Sequence, residues 1–121
     1  MNEIKKKRLA VLESTINYFT SKNRCHGEDK CHYAPIEGVS EGCAVGRLIK
    51  DKELCATLDT IGCVSTLDVF EQLPDDLQEL GQGFLTELQI LHDVASYWNE
   101  TGLSFAGIQK FTYIKNVFIG E

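Results

Sequence analysis

From Gly83 to Trp98, apolar residues recur at Phe84, Leu88, Leu91, Ala95 and Trp98, which places them in one narrow stripe of an α-helix. The N-terminal segment carries a second such pattern. Leu9, Leu12, Ile16 and Phe19, flanked by Ile4, Val11 and Tyr18, predict a helix over residues 3–21. Its Lys5-Lys6-Lys7-Arg8 run reads as a solvated face, with an acidic partner as the alternative. A chain of 121 residues fits a single domain spanning 1–121, able to bury roughly two thirds of the surface its unfolded form exposes.

Between these helices the period is lost and regained. From Asn23 to Ser40, Gly27, Pro35 and Gly38 punctuate a stretch without apolar periodicity, so a long loop or a small β-hairpin is expected near residues 23–40. Ser40 can cap a helix that starts near Glu41 or Gly42 and runs through Arg47 to about Lys50. After the Asp51-Lys52-Glu53 turn, Leu54, Cys55 and Leu58 suggest one more helical turn, with a break at Asp59 to Gly62. Ser65 or Thr66 then caps Leu67 to Leu73, and Pro74-Asp75-Asp76 opens a short helix that Gly81 ends. Beyond Ser104, Ile108, Phe111, Ile114 and Phe118 fit a helix, although residues 111–119 are rich in strand formers. Helix is favoured there. The fold class is thus mainly α: one compact helical domain.

Composition narrows the function. Twelve Lys and Arg stand against eighteen Asp and Glu, and a net charge of −6 disfavours binding to duplex nucleic acid. No apolar run approaches the roughly 18 residues of a membrane span. Five cysteines, Cys25, Cys31, Cys43, Cys55 and Cys63, and a polar Met-Asn-Glu-Ile-Lys start point to a cytoplasmic chain with free thiols.

Candidate chemistry gathers around the loop and the residues that answer it. Cys25-His26 and Cys31-His32, followed by Cys43, are zinc-ligand types, but five residues separate Cys25 from Cys31 and eleven separate Cys31 from Cys43. Knuckle spacing is shorter, so no metal and no cofactor is expected. Cys43 near a helix start is a candidate nucleophile with His92 as its base, yet Ala44 and Val45 after it read as packing. His92-Asp93 resembles an acid–base couple, but neighbours on a helix project about 100° apart. Asp93 is expected to point away, as a solvated residue or an ion-pair partner, and His92 to be a partly buried histidine with one hydrogen bond, with a place at the rim of a pocket as the alternative. Gly42, Gly46 and Arg47 can hold a phosphate or carboxylate between backbone N–H groups and a guanidinium. Equally, Gly46 can serve helix packing and Arg47 can bridge to Asp51. Tyr33 offers an aromatic face near the same loop.

The segments Cys31-x-Tyr33, Gly42-Cys43-Ala44-Val45-Gly46-Arg47-Leu48-Ile49 and Phe84-Leu85-x-x-Leu88-Gln89-x-Leu91-His92-Asp93 resemble a family of small phage and prophage proteins. The resemblance covers about residues 31–105. This chain departs from the family at the turn, where Lys50-Asp51 replaces Pro-Asp, and in its added Cys25-His26 loop. The family lends no reaction. It implies a phage source, and by analogy with small accessory phage proteins we expect a non-enzymatic binding protein of host cytoplasm whose partner is a small anionic ligand, such as a nucleotide signal of host defence, or a host protein. The ligand-binding residues are then Tyr33, Gly42, Cys43, Gly46, Arg47 and His92, with a homo-oligomer compatible with that role. The alternatives are a hydrolase or transferase using Cys43 or His92, and a protein–protein inhibitor.

Overall fold

The computed structural model describes residues 2–18, 44–61 and 67–120, which are mainly helical with one small antiparallel pair of strands. In chain order these are α1 (Glu3–Tyr18), a 3-10 turn at Gly46–Leu48, α2 (Lys52–Asp59), α3 (Leu67–Phe70), α4 (Asp75–Gln78) and α5 (Gln82–Asp93). A 3-10 turn at Ala95–Tyr97 leads to β1 (Trp98–Asn99), β2 (Gly102–Leu103) and α6 (Phe105–Phe118). The loop or hairpin expected at residues 23–40 lies outside the described residues, as do residues 19–21 of the first predicted helix.

Short polar side chains start α1 and α2. Asn2 accepts the Lys5 N–H at 2.8 Å ahead of α1, and the Asp51 carboxylate accepts the N–H groups of Glu53 and Leu54 at 3.0 and 3.2 Å to cap α2. Pro74 precedes α4 with φ −56°, and Asp75 and Asp76 occupy its first turn. Gly81, at φ 94°, turns the chain into α5. A single hydrophobic cluster draws on every described α-helix: Leu12, Cys55, Leu58, Val69, Leu77, Phe84, Leu85, Leu88, Leu91 and Ile114 are all buried in it.

The helix expected to reach Trp98 ends at Asp93. The Trp98 indole N–H donates to the Leu91 carbonyl at 2.8 Å, the acceptor that Ala95 N–H would need if the helix continued. Trp98 therefore enters the core from a strand, while Ala95 is exposed. The hairpin pairs Trp98 with Leu103 and Asn99 with Gly102, and Asn99 Oδ1 accepts from both the N–H and the hydroxyl of Thr101 at 2.9 Å.

Ser104 accepts the Gly107 N–H at 3.2 Å and starts α6, settling residues 105–118 as helix. Its inward face runs Gly107, Phe111, Ile114 and Phe118, at helical spacing. Ile108, expected inside, is 51% exposed. Gly107 takes that place because a Cβ there would lie 2.1 Å from the Tyr97 carbonyl oxygen. Glycine lets the helix meet the 3-10 turn that precedes the hairpin backbone to backbone.

The basic run near the start of α1 is not uniformly a solvated face. Arg8 donates Nε to the Leu80 carbonyl at 2.8 Å and Nη1 to the Phe118 carbonyl at 2.9 Å. Its guanidinium also lies 5.8 and 5.7 Å from the ring centres of Phe84 and Phe118.

Candidate functional site

The segment bearing Arg47 is shorter and tighter than expected. Instead of an α-helix running to Lys50, Ala44 and Val45 lie in a turn, Gly46–Leu48 form a 3-10 turn, and Ile49 is extended at φ −88°, ψ 120°. Leu48 N–H bonds to Val45 O at 3.0 Å and Ile49 N–H to Gly46 O at 3.1 Å, which fixes the tighter winding. Side chains close it from outside. Lys52 Nζ donates to the Ile49 carbonyl at 2.8 Å, and Gln89 Oε1 accepts the Val45 N–H at 3.2 Å.

This removes one half of the anticipated anion cradle. A three-residue turn has no α-helical dipole, and the Val45 N–H serves the Gln89 amide rather than a ligand. The other half is firm. Arg47 Nη2 donates to Ser14 Oγ at 2.9 Å and lies 3.3 Å from Thr15 Oγ1, both on α1, while Asp51 is occupied in capping α2. Gly46 is buried and accepts from the Cys55 thiol at 3.7 Å.

His92 and Asp93 form the unit that helix geometry spoke against. His92 Nδ1 lies 2.9 Å from Asp93 Oδ1, the same oxygen that accepts from Gln89 Nε2 at 2.9 Å. The 100° offset between the two Cβ directions still holds, but Asp93 is the last residue of α5, and Gln89 one turn earlier draws its carboxylate back. An ionised carboxylate only accepts, so Nδ1 is the nitrogen that carries the hydrogen. His92 does not sit at a rim. Its side chain is 0% exposed, whereas that of Asp93 is 47% exposed.

These bonds form one chain from Val45 N–H through the Gln89 amide to Asp93 and His92. The structure thereby links Gly46 and Arg47, by way of the neighbouring Val45, to His92 at the end of α5. Tyr33, Gly42 and Cys43 lie outside the described residues, as do Cys25, His26, Cys31, His32 and Cys63. Gln89, Ser14 and Thr15 were missed by sequence reasoning. Gln89 had a signal in the Leu88-Gln89 pair; the two hydroxyls had none.

Cys55 is the thiol among the described residues, fully buried, and burial pushes it up from the ordinary value. Among those residues no group of three or more His, Cys, Asp or Glu could hold a metal ion, and no helix is long and apolar enough to cross a membrane. No protein-family model, curated protein or solved structure matches the chain.

Proposed function

We propose that the protein is a non-enzymatic binding protein that sequesters a small anionic, nucleotide-type ligand, in keeping with the phage accessory proteins it resembles. The observation that carries this reading is the fixation of Arg47. Ser14 and Thr15 orient its guanidinium from α1, while Gln89 anchors Val45, two residues before it, from α5. A guanidinium held before the ligand arrives loses less freedom on binding, and its permanent charge attracts a phosphate.

Binding without turnover is supported, among the described residues, by the enclosure of His92 and Cys55. His92 has no exposed surface, and the raised Cys55 thiol disfavours the nucleophilic thiolate. A hydrolase or transferase reading has one observation in its favour: the His92–Asp93 contact, the pairing by which a carboxylate orients a catalytic imidazole. A general base must reach its substrate within hydrogen-bond distance, and an enclosed ring does not.

Native mass spectrometry after incubation with cyclic and ADP-ribose-type nucleotides tests the proposal. It predicts a stoichiometric complex from which the nucleotide is recovered chemically unchanged. Product accumulating beyond one equivalent would establish turnover and overturn it.

A further inference from the structure

The amide of Gln89 stands between two partners that allow it one orientation. Val45 N–H can only donate, so the amide oxygen faces it, at 3.2 Å. The Asp93 carboxylate can only accept, so the amide nitrogen faces that, at 2.9 Å. Gln89, His92 and Asp93 stand at i, i+3 and i+4 toward the end of α5 and so share a side of the helix. His92 Nδ1 meets the same Asp93 oxygen at 2.9 Å. A flipped amide would set N–H against N–H at one end and oxygen against oxygen at the other.

The far end of the bridge matters because of what Val45 begins. Its carbonyl accepts Leu48 N–H at 3.0 Å, so Arg47 lies inside a turn whose first residue is tied to α5. Val45 is 0% exposed, and losing the amide would leave a buried donor without its acceptor. The Arg47 guanidinium is held separately, from α1, by Ser14 and Thr15. Backbone and side chain of Arg47 are thus fixed by different helices.

We propose that Gln89 is the positioning residue of the Arg47 anion site, holding the turn at Gly46–Leu48 against α5 through an amide whose direction Asp93 dictates. The inference rests on the reading of Arg47 as the anion contact. Gln89 acts on the ligand through Arg47: a turn released from α5 lets the guanidinium drift, and hydrogen bonds weaken steeply with distance and angle.

A glutamate at position 89 separates this role from simple packing, because Glu has the shape of Gln. Ionised, it still accepts Val45 N–H but has no proton for Asp93, and two carboxylates face each other. On acidification the pair shares one proton and the bridge returns. His92 also titrates against Asp93, and comparison with the wild type at each pH removes its effect.

Amide hydrogen exchange of the ligand-free full chain at about pH 5 and about pH 8 tests the bridge, with Leu12 in α1 as the reference for global stability. Relative to Leu12, Val45 is expected to exchange at least about tenfold faster in Gln89→Met than in the wild type at both pH values. Gln89→Glu should match Gln89→Met at the higher pH and approach the wild type at the lower. With cyclic AMP and ADP-ribose as probes, whichever the wild type binds is expected to bind Gln89→Met at least about threefold more weakly. Equal relative exchange in the wild type and Gln89→Met, or a Gln89→Glu protein indifferent to pH, overturns the bridge. Undiminished nucleotide affinity in a folded Gln89→Met protein overturns its role at the site. A wild type that binds neither probe removes the Arg47 site itself and the positioning role with it, a failure visible without any variant.

Discussion

Arg8 in the first half of α1 donates Nη1 to the carbonyl of Phe118, the last residue of α6, at 2.9 Å. The same guanidinium donates Nε to Leu80 O just before α5 begins, so one side chain joins both ends of the chain to its middle. Arg8→Ala is expected to cost about 2–4 kcal/mol, combining two charged hydrogen bonds with the stacking on Phe84 and Phe118. Arg8→Lys should recover only part of this, since an ammonium does not reproduce the planar fork. Urea denaturation measures both. A cost below about 0.5 kcal/mol, typical of surface changes, would contradict the clamp.

Gly107 offers a sharper steric test. Alanine is the better helix former by about 1 kcal/mol, yet its Cβ would stand 2.1 Å from Tyr97 O and 2.8 Å from Leu103 Cδ2. The neighbour is backbone, which does not swing aside. Gly107→Ala should therefore destabilise by about 2 kcal/mol in thermal or chemical unfolding. A gain in stability would show that α6 and the Ala95–Tyr97 turn are not in such close contact.

Cys55 sets an alkaline limit. Burial raises its pKa above the ordinary 9.0, so as pH rises the unfolded chain gives up this proton first. Below that value the thiol adds no pH dependence. Above it, native stability falls until the folded thiol also ionises. Lys7, raised by its hydrogen bond to Glu79, likewise loses its contribution as pH climbs through its folded value. Comparing Cys55→Ala with the wild type cancels the Lys7 effect. Urea midpoints between about pH 7 and about pH 10 should fall more steeply for the wild type. Parallel curves would argue that the thiol is solvated.

The helices were legible where apolar residues repeat over several turns, as in α1 and around Phe84, Leu88 and Leu91. Endings were less so. Trp98 fits the stripe of α5 as well as it fits a strand, and what decides is an indole hydrogen bond to Leu91 O that no periodicity encodes. Ile108 was taken for a core residue because glycine carries no hydropathy signal, yet Gly107 holds the contact. The candidate site was legible in its residue types and not in its wiring. Arg47 and His92 stand out as chemistry, but the link between them depends on Gln89 bonding to a backbone N–H 44 positions away in sequence. The His92–Asp93 contact was missed because the angular rule for neighbours describes Cβ directions and ignores a short carboxylate at a helix end.

The account rests most heavily on Arg47 as the anion contact, and ligand-dependent thermal shift of the wild type and of Arg47→Ala tests it most directly. Because Arg47 also braces Ser14 and Thr15, the unliganded variant is expected to melt somewhat lower, so the informative quantity is the shift each protein shows on adding ligand. The account predicts that at least one cyclic or ADP-ribose-type nucleotide raises the wild-type melting temperature, and that Arg47→Ala binds it at least about tenfold more weakly, or roughly 1.4 kcal/mol. No shift with any such nucleotide, or an equal affinity in a folded Arg47→Ala protein, would contradict it.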